Sequence, residues 1–239
     1  MKNILVLVGP TGSGKTGAGV RLAQLFGGEI ISADSRAIYE GMDIGTAKPS
    51  TEEQCGIMHY GIDLVYPDEK FTVYDFKEYA LDKISEIRNK NKVPIIVGGT
   101  GLYVDALVFN YSFGEESKKD CSDREQMLDE YRVIGIKTER DVLRERLKKR
   151  IDLMFELGVE EETRRLFTKY DHKLQALRSD IYPIVWEYCQ GNINLETAKN
   201  KAFLKDWNLA RRQMTWFRRN KNIEWMNLDE ILALDKLFA

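Results

Sequence analysis

Cysteine, histidine and proline are all scarce in this chain, with three, two and five copies among 239 residues. Cys55, Cys121 and Cys189 lie far apart, with no C-x-x-C pair and no histidine at metal-ligating spacing, which excludes a disulfide framework and a zinc site. A reducing, cytoplasmic location fits that usage. His59 and His172 stand alone, and neither is assigned a catalytic role. Long apolar runs are also missing: Ile4 to Val8 ends after five residues in a Gly/Pro/Thr loop, too short for a signal sequence or a membrane span. No membrane partner is expected. Charge of one sign is lacking too, because the net charge is only −2 with 31% charged residues, so any nucleic-acid contact must come from a local basic patch.

What is present is a pattern of apolar strands and amphipathic helices, and 43% hydrophobic residues can fill a sizeable core. Ile4-Leu5-Val6-Leu7-Val8 is continuous enough for a strand buried on both faces, and Thr16 to Phe26 follows as a helix. Ile30 to Ala33 and Val93 to Val97 are two more such strands, ending at Asp34 and at Gly98-Gly99. Between them Val73, Phe76, Ala80, Ile84 and Ile87 recur at helical spacing. Strands alternating with helices predict an α/β fold with a parallel sheet flanked by helices. Arg132 to Ile136 is a further strand, so the polar stretch from about Asn110 to Glu130 is a surface excursion, within a shortened insertion region at 104–131. The chain from 139 to 219 reads as a helical part packed on the core, with Leu143, Leu147, Ile151 and Met154 as one stripe and Gly158 as a break. Helices are expected over Val159 to Tyr170, Ile181 to Cys189 and Leu195 to Arg219, and a short edge strand over Ile223 to Met226. Residues 1–239 are thus expected to make one α/β domain, with no repeat or low-complexity segment.

The strongest local signal is Gly9-Pro10-Thr11-Gly12-Ser13-Gly14-Lys15-Thr16, which matches G-x-x-x-x-G-K-[ST] between a strand and a helix. Its glycines let backbone N–H groups curl around a phosphate, Lys15 supplies a point charge, and the Thr16 hydroxyl is the candidate ligand for Mg²⁺. Such a loop grips any diphosphate or triphosphate. An ATPase would carry a Walker-B Asp after a later apolar strand, but Val93 to Val97 ends in Gly98-Gly99-Thr100-Gly101 and the only strand-end Asp is Asp34. Either Asp34 is a metal ligand in a nucleotide kinase, or the loop serves a diphosphate that is not a nucleotide.

Four blocks bear on that choice: the loop from Gly9 to Thr16, the run Asp34-Ser35-Arg36-Ala37 continuing to Pro49, Val97-Gly98-Gly99-Thr100-Gly101-Leu102-Tyr103, and Ala210-Arg211-Arg212-Gln213 continuing through Trp216 to Arg218. Together, and with His59-Tyr60-Gly61-Ile62-Asp63, they resemble the tRNA dimethylallyltransferase (tRNA isopentenyltransferase) family, in its order and from the first strand almost to the last residues. The resemblance implies a P-loop NTPase-like fold that binds dimethylallyl diphosphate with Mg²⁺. It implies transfer of the dimethylallyl group to N6 of an adenosine flipped out of a tRNA anticodon loop, with release of diphosphate. Asp34-Ser35-Arg36 is the tRNA-type version of a segment that differs in enzymes prenylating free adenine nucleotides. The chain departs from the family at Ala37, where glutamine is usual, at Ser179-Asp180-Ile181-Tyr182, and between Tyr103 and Arg132, where most of the helical insertion that grips the anticodon stem is absent. It is therefore a short form with a reduced insertion, expected to act as a monomer.

The chemistry assigns roles to these residues. An exocyclic adenine amine is a poor nucleophile, so alkylation needs a base at N6 and stabilisation of the departing diphosphate. By resemblance the base is Asp34, whose strand-end position agrees; the alternative is Asp34 as a Mg²⁺ ligand alone. Thr100, in a turn whose glycines admit a ligand closely, is the second catalytic candidate, bonding N6 or the bridging oxygen, or else simply capping the next helix. Gly9 to Thr16, Arg212 and Arg218 are the expected diphosphate contacts, arginine because its planar fork grips phosphate oxygens in pairs. Ser35, Arg36, Ala37, Arg211, Arg219 and Lys221 join Asp34 and Thr100 as expected tRNA contacts. Residues 199–221 hold eight Lys/Arg against the single acid Asp206, as an RNA surface or only a solvated basic face. Trp207 and Trp216 within it either stack on unpaired bases or belong to the core. The charged helix from Glu139 to Arg165 reads as a solvated face over an apolar stripe. Rival functions are a P-loop small-molecule or nucleotide kinase, an adenine-nucleotide prenyltransferase, and a binding protein that has lost catalysis.

Overall fold

The computed structural model describes residues 4–113, 126–178 and 180–234. Much of the shortened segment between Tyr103 and Arg132, together with Cys121 and Ser179, therefore lies outside the described residues. Six strands form one sheet: β1 (Ile4–Val8), β2 (Gly28–Ser32), β3 (His59–Tyr60), β4 (Val93–Gly98), β5 (Tyr131–Ile136) and β6 (Glu224–Met226). Their order across the sheet is β3-β2-β4-β1-β5-β6, and every neighbouring pair is parallel. β1 is central, with Val6 beside Ile96 on one flank and Val133 on the other.

Strand alternation explains why β1 is apolar at every position. Ile4, Val6 and Val8 face one layer, packed with Ile31, Ile96, Phe76, Ile84, Val104 and Phe217. Leu5 and Leu7 face the other, with Leu22, Ile30, Ile95, Ile134 and Ile231. Both faces of a parallel sheet are covered by its crossover helices, so no position of this strand can be polar without a buried partner. The covering helices are α1 (Lys15–Phe26), α3 (Val73–Asn89), α4 (Gly101–Val108) and α10 (Leu228–Leu232), with the single turn α2 (Thr51–Gln54) near the β3 edge. α3 begins at a capping box in which Thr72 and Asp75 satisfy each other's backbone N–H groups.

The helical part comprises α5 (Arg140–Glu156), α6 (Val159–Lys169), α7 (Gln175–Arg178), α8 (Tyr182–Cys189) and α9 (Leu195–Phe217). The stripe Leu143, Leu147, Ile151 and Met154 is buried as its spacing predicts, the first two against Ala210 and the second two against Val159, Ile181, Val185 and Ala202. Gly158 takes φ +92°, a left-handed conformation that ends α5 and starts α6. β6 pairs with β5 at the sheet edge, one residue shorter than expected. Among the described residues no helix is long and apolar enough to cross a membrane.

Candidate active site

The carboxyl ends of β1, β2 and β4 open onto one cavity of about 650 Å³. This is where ligands bind in open α/β sheets, because the loops leaving adjacent strands diverge there. The loop after β1 supplies Thr11, Gly12, Gly14, Lys15 and Thr16, the loop after β2 supplies Asp34, Ser35, Arg36 and Ala37, and the turn after β4 supplies Thr100. Gly12 and Gly14 have φ of +78° and +90°. A Cβ on Gly12 would also stand 2.9 Å from Leu147 Cδ2, so α5 itself holds the loop in its curl.

Lys15 is half-buried at the base of the loop, its Nζ donating to the Pro10 carbonyl at 2.8 Å. Burial lowers its pKa to about 8, against the opposing pull of the Asp34 carboxylate and with Arg150 adding repulsion. Asp34 accepts from the Arg36 backbone N–H through Oδ1 at 2.8 Å, which locks the carboxyl in a tight local turn. Thr100 Oγ1 accepts from Ser35 N at 3.0 Å and lies 3.2 Å from Ser35 Oγ. Thr100 is the N-cap residue of α4, as the alternative had it, but its side chain makes no capping bond, and the hydroxyl instead ties the β2 and β4 loops together beside the cavity.

The glycines around Thr100 have a protein-side cause. A Cβ on Gly98 would stand 2.1 Å from the Ala33 carbonyl oxygen, one on Gly99 2.5 Å from Gln213 Nε2, and one on Gly101 2.1 Å from Trp216. β2 and α9 press against the turn, which gives its glycines a protein-side reason beside the expected close approach of a ligand. Gln213 uses that contact to bridge two loops, accepting from Thr11 N at 2.8 Å and donating to the Gly99 carbonyl at 3.1 Å.

α5 is not only a solvated face. Arg146 and Arg150, one turn apart, reach from it into the cavity: Arg146 Nη1 donates to the Ser13 carbonyl at 3.1 Å, and Arg150 Nη1 donates to Thr11 Oγ1 at 2.7 Å. Arg150 Nη2 donates to the Thr46 carbonyl at 3.2 Å. The segment carrying Thr46 is itself fixed by the buried carboxylate of Glu162. Its Oε2 accepts from Asp43 N and Ile44 N at 3.0 and 2.9 Å, and its Oε1 from Gly45 N and Tyr182 Oη, both at 2.9 Å. Four donors on one buried carboxylate make that segment a rigid wall.

Arg212 lines the cavity, as do Asp180, Lys205 and Asp206. Arg218 sits at the C-terminal cap of α9, exposed and away from the lining, and Arg211, Arg219 and Lys221 are likewise exposed and outside it. Trp216 is a packing residue: its indole N–H donates to Asp105 Oδ2 at 2.9 Å, and the Arg219 guanidinium lies 5.9 Å from its ring centre. Trp207 stacks on Phe203 with Arg140 and Arg144 over its ring. His59 also borders the cavity, and burial lowers its pKa against the opposing effect of the Ile57 carbonyl.

Against known proteins, the family model described as IPP transferase matches residues 37–133 and 115–220. The chain belongs to the IPP transferase family. It is 36% identical to the tRNA dimethylallyltransferase of Acetivibrio thermocellus, with 99% of this chain and 95% of the relative covered. The enzyme of that name from Bacillus subtilis is 32% identical, covering 94% and 90%. Among solved structures, the tRNA isopentenylpyrophosphate transferase of Bacillus halodurans superposes with a TM-score of 0.88 at 30% identity over 99% of this chain and 95% of that one. The tRNA delta(2)-isopentenylpyrophosphate transferase of Staphylococcus epidermidis gives 0.84 at 32% identity over 98% and 97%. The first alignment spans 298 positions against the 239 residues of this chain, so that family member carries residues with no counterpart here.

Of the cavity residues, Arg146, Arg150, Lys205 and Asp206 escaped assignment from sequence. The arginines at positions 146 and 150 have the spacing of any charged helix face, and nothing in the pattern marks them as inward. Asp206 did carry a signal, since a lone acid among eight cations implies a specific partner.

Proposed function

We propose that this chain transfers the dimethylallyl group of dimethylallyl diphosphate to N6 of an adenosine next to a tRNA anticodon. The observation that carries the reading is the convergence of two chemistries on one cavity. Lys15, Arg146, Arg150 and Arg212 bring positive charge and fork-shaped donors to the P-loop side, and Asp34 with Thr100 stands on the neighbouring loops. In the transfer, the N6 lone pair attacks the allylic carbon, the carbon–oxygen bond breaks with its electron pair leaving on diphosphate, and Asp34 takes the N6 proton. Charge grows on the bridging oxygen as the bond breaks, and preorganised cations stabilise it most where water is excluded. Asp34 is held ready by the Arg36 N–H, and Thr100 fixes the Ser35 backbone beside it. Ala37 is 5% exposed and offers the acceptor only a methyl surface.

Mg²⁺ fits this donor set. It takes one or two protein oxygens and fills its remaining sites with phosphate and water, and the Thr16 hydroxyl at the start of α1 is such an oxygen. When bound it would neutralise diphosphate charge. RNA contact is assigned to Ser35, Arg36 and Ala37 at the cavity and to Arg211, Arg219 and Lys221 outside it, and the catalytic unit is a cytoplasmic monomer.

Against a kinase stands the end of β4, where Gly99 and Thr100 occupy the place of a Walker-B Asp. The test is a transfer assay with purified protein, labelled dimethylallyl diphosphate and Mg²⁺, offering an anticodon stem-loop or AMP as acceptor. Label on N6 of the stem-loop adenosine is the expected result. Label on AMP alone would make it an adenine-nucleotide prenyltransferase, and brisk ATP turnover without RNA would make it a kinase.

A further inference from the structure

The transfer makes one demand that neither substrate loop meets alone. Attack by N6 on the allylic carbon needs the diphosphate and the adenine at a fixed separation, with the reacting atoms about 3 to 3.5 Å apart, and a misplacement of about 1 Å costs on the order of 10²-fold in rate. The phosphate loop leaves β1 and the Thr100 turn leaves β4. Those strands pair as far as Val8 and Gly98, and the ladder ends there. Among the described residues Gln213, on the cavity wall, is the one side chain that bonds to both loops.

The chemistry of the two contacts calls for an amide. Thr11 N can only donate and the Gly99 carbonyl can only accept, so Oε1 meets the first at 2.8 Å and Nε2 the second at 3.1 Å. A carboxylate would serve Thr11 alone, and a lysine Gly99 alone. α9 also encloses the turn on either side of Thr100. Gln213 occupies the space of a Cβ on Gly99, and Trp216, close to one helical turn further along, that of a Cβ on Gly101. Thr100 Oγ1 then accepts from the N–H of Ser35, the neighbour of Asp34. A continuous set of contacts therefore runs from Thr11 through Gln213, Gly99, Thr100 and Ser35 to Asp34.

We propose that Gln213 is a positioning residue for the transfer step: it holds the phosphate loop and the Thr100 turn at the separation that brings the allylic carbon onto N6. This rests on the prenyl-transfer reading. Gln213 acts through the two loops and not on the reacting atoms, so its contribution lies in the rate and not in affinity for either substrate. Without it each half of the site keeps its own grip. Arg150 still holds Thr11 Oγ1, Lys15 stays in the phosphate loop, and Asp34 retains the Arg36 N–H.

The experiment compares wild type with Gln213→Met, which is close in shape but has no amide to bond either loop. It measures affinity for an anticodon stem-loop, affinity for an unreactive thio analogue of dimethylallyl diphosphate, and single-turnover transfer with both substrates saturating. Both affinities should stay within about threefold of wild type while the rate falls by about 10- to 100-fold. Gln213→Asn keeps the amide on a stem one methylene too short to reach both loops, and should lose rate alike. Combining Gln213→Met with Thr100→Val adds a readout that a merely structural glutamine would not move. The double variant should be little slower than the slower single one, because both changes break the same chain of contacts. The proposal is overturned if both Gln213 variants keep a rate within about threefold of wild type, or if the loss falls on affinity. It is overturned equally if the Gln213 and Thr100 losses multiply, or if neither Gln213 variant folds, since Gln213 would then be structural alone. Wild type is scored first: if it transfers nothing to the stem-loop, the prenyl-transfer reading falls and this proposal with it, whereas an active wild type leaves the variants to judge Gln213 alone.

Discussion

Lys15 illustrates how a single residue can be costly to the empty protein and useful to the loaded one. Burial opposes its charge and lowers its pKa to about 8 despite the Asp34 carboxylate nearby, so an incoming diphosphate adds counter-charge where the empty fold supplies too little. Lys15→Ala should therefore weaken dimethylallyl diphosphate binding by more than about tenfold, as expected when a charge-assisted hydrogen bond is removed, and leave stem-loop affinity nearly unchanged. Calorimetry with each ligand separates the two, and an unaltered diphosphate affinity would contradict the assignment. Asp180 presents the opposite sign. Burial first, and then the Asp206 charge, raise its pKa from 3.8 to about 6. Between those values the folded chain holds a proton that the unfolded chain has released, so this group's contribution to stability falls as pH rises through the window and stays lost above it. Asp180→Asn removes the titration. Its melting temperature relative to wild type should be higher at pH 7.5 than at pH 4.5, and a difference independent of pH would show that Asp180 ionises without cost in the folded state.

At the scale of elements, α9 and the turn that follows it serve two surfaces at once. Arg212 and Gln213 of α9 turn to the cavity, while Arg211 of α9 and Arg219 and Lys221 beyond its end lie outside it on exposed surface. Arg219→Glu with Lys221→Glu should then abolish stem-loop binding at physiological salt while sparing dimethylallyl diphosphate. For every phosphate that the variant no longer neutralises, the dependence of log K on log salt should flatten by about 0.7 to 0.9. An unchanged affinity and slope would place the RNA on another face. The helices whose apolar stripe runs for several turns, α3 and α5 among them, were legible from periodicity because each must bury one face. α2, α7 and β3 were not, since two to four residues are too short to show a period, and their place is set by the surrounding loops. The inward-facing arginines of α5 were illegible for a different reason. A charge at i and i+4 looks the same whether it meets water or a phosphate loop, and only the packing of Leu147 against Gly12 turns that face toward the cavity.

For the whole molecule, local signals named every strand but β3, and not the order of the strands. Placing β1 between β4 and β5 depends on two long crossovers that leave no mark on the strands themselves, whereas the carboxyl-end location of the site follows from the phosphate loop alone. That topology brings the loops after β1, β2 and β4 to one cavity and makes Asp34 a neighbour of Lys15. The central claim is that these loops divide the work, cations holding the diphosphate and Asp34 taking the N6 proton. The most direct measurement is single-turnover prenyl transfer by Asp34→Asn with both substrates saturating, alongside the affinity of each. The expected result is a rate lower by about 10²- to 10⁴-fold, the usual worth of a general base, with both affinities preserved. A rate close to wild type, or a rate loss fully explained by weakened diphosphate binding, would contradict it and leave Asp34 as a ligand of the metal and no more.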